Sequence, residues 1–202
     1  MKRIILLAAI CLAGVKATQA QHFTHGIGTG FFVDDAATTS ARAHVVFTYS
    51  PRFSFAEAEK TSLSIGVPVT VGFSGGYNGV YNSDDGYYDE NTLGYMVNVP
   101  VILNFNIGAG SSRDCQDRMG FFIGAGYAYH VGTVDEEKYD PEYIGYYTHT
   151  HTMSTTGPAA NIGLRIGVGR RKRHNIEIRT SYMKGITSHK PHVFGATCLF
   201  NF

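Results

Sequence analysis

Apolar and polar residues alternate with a period of two over most of this chain. The cleanest run is Leu63 to Phe73, in which Leu63, Ile65, Val67, Val69, Val71 and Phe73 are interleaved with Ser64, Gly66, Pro68, Thr70 and Gly72. Val97 to Ile107 repeats it. Val97, Val99, Val101, Leu103, Phe105 and Ile107 share one side and Asn98, Asn104 and Asn106 the other, with Pro100 and Ile102 as exceptions. A two-residue period puts alternate positions on opposite faces of a β-strand. These runs exceed the usual strand of about 5–6 residues. They match the roughly 9–11 residues of a tilted strand that crosses a bilayer.

The same pattern marks six further segments. Phe23 to Val33 sets bulky residues and His25 against glycines 26, 28 and 30. Ala43 to Phe55 sets Val45, Phe47, Tyr49 and Phe53 against His44, Thr48, Ser50, Arg52 and Ser54. Gly120 to Val131 opposes Phe121, Ile123, Tyr127 and Tyr129 to Phe122, Gly124, Gly126 and His130. Later, Ile162, Leu164 and Ile166 oppose Asn161, Gly163 and Arg165. Ile176, Ile178, Thr180 and Tyr182 then oppose Glu177, Arg179, Ser181 and Met183. The last segment places Phe194, Ala196, Cys198, Phe200 and Phe202 opposite Gly195, Thr197 and Asn201. Short turns at Ala56–Lys60, Gly108–Arg118 and Gly169–His174 alternate with connections at Asp34–Ala41, Ser74–Thr92, Gly132–Thr156 and Gly185–His189. The even strand number and the alternation of short turns with longer loops are marks of bacterial outer-membrane barrels.

The sign of the pattern separates two kinds of barrel. A soluble ligand-binding barrel keeps its bulky apolar residues inside. Here the less bulky face carries Gly, Ser, Asn and four charges, Arg52, Arg165, Glu177 and Arg179. That set fits a narrow, hydrated, salt-bridged lumen. The opposite face is a continuous apolar band with no second sheet to cover it, and its exposure to water is prohibitive at about 25 cal/mol per Å². The sequence therefore predicts an all-β, eight-stranded, antiparallel up-and-down transmembrane β-barrel. Pro68 and Pro100 fit a closed barrel less well, because proline gives the ladder no donor, and each predicts a bulge or a missing ladder bond.

The N-terminus adds the compartment. Lys2 and Arg3 precede the apolar run Ile4 to Leu12 and the small-residue stretch ending at Ala20, the layout of a secretory signal peptide. Residues 1–20 are thus expected to be removed, leaving 21–202 as one barrel domain. A lipoprotein reading would use Cys11, but Ile10 before it is bulky. Loss of Lys2, Arg3 and Lys16 lowers the 17 basic residues to fourteen against 16 acidic ones. That balance gives no basis for a nucleic-acid partner. Cys115 and Cys198 are expected to stay unpaired, since a disulfide scaffold shows a denser set.

With these residues in view, the chain resembles the small outer-membrane β-barrels of OmpA/OmpX type. More narrowly it is similar to Bacteroidetes proteins described as outer-membrane β-barrel domain or porin family. The likeness is carried by the signal peptide and by SLSIGVPVTVGF, VNVPVILNFNIGAGS, GFFIGAGYAYHVG and ATCLFNF. The resemblance implies an outer-membrane location with periplasmic ends and extracellular long loops. It implies outer-membrane lipids, including lipopolysaccharide, as surroundings, and the barrel assembly machinery as a partner that reads terminal Phe202. It implies no catalytic residues and no cofactor.

Candidate chemistry is sparse. A turn centred near Arg171 sets Glu177 and Arg165 opposite each other, where unlike charges stabilise a strand pair. The structural reading is a barrel plug, the functional one an ion path. His149 and His151 alternate on an extended segment and could share a metal ion, with Asp140 and Glu142 in the same loop; the plainer reading is a solvated loop. Arg170 to Arg173 is basic, a periplasmic turn in this orientation and a lipopolysaccharide contact in the inverted one. Tyr77, Tyr81, Tyr87, Tyr88, Tyr139, Tyr143, Tyr146 and Tyr147 crowd the two long loops. Such residues serve interface girdles or recognition of an extracellular ligand. His25 with Thr29 offers a thin case for a lipid-modifying enzyme.

Overall fold

The computed structural model describes residues 22–36, 39–82, 86–140, 145–169, 173–187 and 190–202, with positions 40, 76–92 and 136–149 described by their backbone alone. The candidate signal peptide, residues 1–20, lies outside the described residues. Eleven strands are present among these residues: β1 (His22–Thr24), β2 (Gly26–Ala36), β3 (Thr39–Tyr49), β4 (Arg52–Phe55), β5 (Thr61–Gly66), β6 (Val69–Asn82), β7 (Gly86–Gly108), β8 (Met119–Asp140), β9 (Gly145–Val168), β10 (His174–Lys184) and β11 (His192–Asn201). They form one antiparallel sheet in the order β1-β4-β5-β7-β6-β3-β2-β11-β10-β9-β8, closed by pairing of β7 with β8. Three pairs are colinear (β1 with β2, β3 with β4, β5 with β6), so the sheet is a closed ring of eight staves. Within the ring, closure leaves no edge strand.

The faces follow the sequence pattern. Leu103 is 48% exposed and Ile166 43%, whereas Arg165 is 1% and Glu177 0% exposed. Large apolar side chains cover the outside on every stave, and the outward band is bounded by aromatic rings. Near the chain ends, His25 packs 4.8 Å from Phe23, 5.9 Å from Tyr49 and 5.9 Å from Phe202 between ring centroids. Toward the other end, Tyr182 lies 4.9 Å from Phe194, and Tyr127 donates a hydrogen bond to Thr156 at 3.2 Å. Paired aromatic girdles are what a barrel presents at the two membrane–water boundaries.

The structure corrects the strand limits in two ways. First, the long polar stretches are not loops. β6 and β7 pair from Thr70↔Asn98 out to Asn82↔Gly86, and β8 and β9 from Met119↔Ile166 out to Asp140↔Gly145. β7, β8 and β9 reach 23, 22 and 24 residues, about twice what a bilayer crossing takes. The surplus forms two-stranded ribbons, because Tyr- and Thr-rich segments favour extended pairing even where no apolar face asks for it. Asp34–Ala41 shortens likewise, since β2 runs to Ala36 and β3 starts at Thr39.

Second, the first three staves are interrupted, and the interruptions line up. The register is the same on either side: Ile27↔Tyr49 and Thr24↔Arg52, then Tyr49↔Val69 and Arg52↔Gly66, then Thr70↔Asn98 and Gly66↔Ile102. No residue is inserted, so neither proline makes a bulge. By this register Pro68 faces Pro100. The Val67 amide donates to the Pro51 carbonyl at 3.1 Å, so Pro68 addresses β7. The Gly108 amide donates to the Lys60 carbonyl at 2.8 Å, so even positions of β7, Pro100 included, address β5 and β6. Both missing donors therefore fall on one rung, and no N–H is orphaned.

Pro100→Ala should restore a donor to that rung at little net change in stability. The new hydrogen bond is worth about 0.5–1.5 kcal/mol, and the looser unfolded chain offsets about 0.4–1 kcal/mol of it. Hydrogen exchange should show a protected amide at position 100. A fast-exchanging one would mean that the two residues are not opposed.

Candidate functional site

The lumen is layered, and the layers come from which inward positions are polar. Nearest the chain ends lies the charged layer. Strand pairing sets Glu177 directly opposite Arg165, as the turn spacing predicts. Arg165 Nε donates to Glu177 Oε2 at 2.7 Å, Arg52 Nη1 donates to the same oxygen at 3.2 Å, and Arg179 Nε donates to Oε1 at 2.8 Å. All four predicted lumen charges are thus one cluster. β4 brings Arg52, β9 brings Arg165, and β10 brings Glu177 and Arg179. Polar neighbours complete it: Asn201 donates to Glu177 at 3.0 Å, Arg165 donates to Asn106 Oδ1 at 2.8 Å, and Arg179 donates to Ser50 Oγ at 3.1 Å.

Aromatic and glycine positions set the fit around this cluster. The Arg165 guanidinium lies 4.3 Å from the Phe122 ring centroid, an attractive cation–π distance. A Cβ on Gly163 would come within 2.5 Å of that ring, so the bare backbone of β9 makes room for Phe122. The β7–β8 turn folds in beneath: Ala109, Ser111 and Cys115 are buried. Gly110, at φ +71°, places its carbonyl 3.5 Å from Arg165 Nη1, and a Cβ there would meet Asn175 at 2.7 Å. Above the charges is an apolar layer of Phe32, Val46, Met96, Ile102, Met183 and Val193. A cavity of about 30 Å³ separates the two layers. Buried side chains thus occupy both layers of the lumen, as an eight-stranded barrel's dimensions allow.

A third layer was not singled out in the sequence. Asp34 Oδ2 lies 3.0 Å from His130 Nε2 and 3.3 Å from His44 Nε2, all three residues being buried. Arg42 approaches Asp135 at 3.4 Å, and Thr150 donates to the same carboxylate at 2.8 Å. The inward parity of His44 and His130 was the available signal. Asp34 opens a polar stretch, Asp34–Ala41, whose composition reads as a loop, so the sequence does not link it to the two histidines.

Other candidate residues are placed as follows. His151 sits on β9 opposite Val134, and His149 opposite Glu136; the His149 side chain lies outside the described residues. Among the described residues no group of three or more His, Cys, Asp or Glu is arranged to hold a metal ion. Tyr143 and residues 170–172 lie outside the described residues, and the other loop tyrosines fall on the β6–β7 and β8–β9 ribbons. His25 is engaged with the Tyr49 hydroxyl at 2.7 Å. Phe202 closes the ring against β1–β2, its amide donating to the His25 carbonyl at 2.8 Å. Cys115 and Cys198 are both free, as expected.

No family model matches this chain, and no curated protein matches it in sequence. Solved structures do match in fold. Neisserial surface protein A is similar over 90% of this chain and 97% of its own, at 10% identity and a TM-score of 0.54. The attachment invasion locus protein Ail of Yersinia pestis covers 91% of this chain and 99% of its own at 11% identity and a TM-score of 0.49. OprG from Pseudomonas aeruginosa covers 91% and 97% at 11% identity and a TM-score of 0.49. The closed ring of eight staves with its apolar face outward, together with the likeness to Neisserial surface protein A, gives this chain the fold of an eight-stranded antiparallel transmembrane β-barrel.

Proposed function

We propose that this chain is an integral outer-membrane protein with a structural or surface-interaction role, its termini periplasmic and its two long ribbons extracellular. The observation that carries this reading is the outward apolar band between aromatic girdles on a closed ring. Outer-membrane lipids, lipopolysaccharide included, cover that band. Terminal Phe202 is the residue offered to the barrel assembly machinery. The charged and apolar layers packed inside the ring favour this role over that of a porin-like conduit. The ribbons carry the tyrosines, and they are the parts that would meet an extracellular ligand.

Heat-modifiable gel mobility combined with protease treatment of intact cells tests closure and orientation together. The unheated protein is expected to migrate faster than the heated one, and external protease is expected to cut within 74–92 or 132–156. Unshifted migration would sink the closed barrel. Cleavage confined to 109–118 or 169–174 would invert the orientation.

A further inference from the structure

Glu177 is the single carboxylate shared by Arg52, Arg165 and Arg179, which leaves the cluster with a formal excess of two positive charges. Uncompensated charge in a buried site is expensive. Arg165 and Arg179 spread theirs over several acceptors. Arg52 does not: it is 4% exposed, and its Nε and Nη2 have no hydrogen-bond partner among the described residues. The Arg52 side chain lines a cavity of about 190 Å³ at the barrel mouth, together with Ser112 and Arg113 of the β7–β8 turn, Arg173 and His174 at the start of β10, and Asn175. By the same measure, a single water needs only about 10–15 Å³. Two carboxylates on this side are engaged elsewhere, Glu57 with His22 and Asp117 with Lys60, and exposed Asp114 and Glu59 are not part of the cavity lining.

We propose that this mouth binds an oxyanion of the phosphate class, held by Arg52 from inside the lumen and by Arg113 and Arg173 from the two turns. A guanidinium presents paired donors that match two oxygens of a phosphate. Three of them from three separate elements would also tie the β7–β8 and β9–β10 turns to β4. Asn175 supplies a neutral donor. The source is either a free phosphate or the headgroup of an anionic phospholipid lying at the rim.

The test uses the full chain folded in a zwitterionic detergent, with inorganic phosphate titrated by calorimetry. A parallel arm inserts it in nanodiscs of phosphatidylcholine with or without phosphatidylglycerol and reads retained lipid by mass spectrometry. The variants are Arg52→Gln and the double variant Arg113→Gln/Arg173→Gln, each checked for heat-modifiable mobility. Expected is phosphate binding that weakens with added sodium chloride and falls about tenfold or more in Arg52→Gln, the loss of a charge-assisted hydrogen bond. The double variant, which alters only exposed side chains, should lose affinity several-fold. It decides the matter if Arg52→Gln fails to fold. Retention of phosphatidylglycerol without phosphate binding, lost in the variants, assigns the headgroup as source. Binding of neither probe by the unaltered chain, or equal binding by the folded variants, overturns the proposal.

Discussion

Glu177→Gln is expected to cost the barrel about 3–5 kcal/mol of stability, the range for removing one partner of a buried ion pair. Glu177 is 0% exposed and receives Arg165, Arg52, Arg179 and Asn201. Glutamine keeps the shape and one acceptor oxygen but cancels the only negative charge among three guanidiniums. The cavity beside Arg52 admits water, so the lower part of that range is the expected value. The measurement is the urea midpoint of the heat-modifiable band, compared with exposed Glu59→Gln as a control. A companion variant sharpens it. Arg165→Met on the Glu177→Gln background removes one repelling cation and should recover part of the loss, since neighbouring sites in one network are not additive. An unshifted midpoint for Glu177→Gln would show that the lumen is wet enough to screen the cluster.

The second large effect is on the opposite face. Leu103→Arg should cost about 2–4 kcal/mol in a bilayer, the depth-dependent price of a cation on the lipid side of a barrel. Leu103 lies midway along the outward apolar positions of β7 and is paired with Ala125. In a barrel whose outside met water, an arginine at a half-exposed site would change stability by no more than about 0.5 kcal/mol. Folding yield and urea midpoint in phosphatidylcholine vesicles distinguish the two. A neutral outcome would remove the membrane from the reading, whatever the status of the lumen.

Much of the architecture was legible in the sequence because side-chain parity is strictly local. Once Leu63, Ile65 and Val69 are seen to alternate with Ser64, Gly66 and Thr70, the facing of the stave is fixed by backbone geometry. The Arg165–Glu177 pair was legible for the same reason, as a short turn fixes the register of its two strands. The convergence of Arg52 on that pair was not, because Arg52 comes from the far side of the ring. Its distance from Glu177 depends on how the ring closes. The Asp34–His44–His130 constellation likewise joins three staves, and Asp34 lies in a polar stretch where β2 continues without an apolar signature.

The extents of the long strands are not legible in the sequence for a physical reason. Alternation reports burial of one face, and the Gly-, Tyr- and Thr-rich segments of the ribbons carry no apolar–polar alternation, so their strands leave no two-residue signature. The aligned interruptions at His25, Ser50–Pro51 and Val67–Pro68 are a tertiary fact of another kind. The sequence shows where each proline is, but only the register shows that Pro68 and Pro100 give up their donors on the same rung. The chain by itself determined the number of staves, their outward faces and the charge inside, since each is written in residues one or two apart. Closure decided which inward residues meet across the lumen, because those contacts join positions far apart in the chain, such as Arg52 and Glu177.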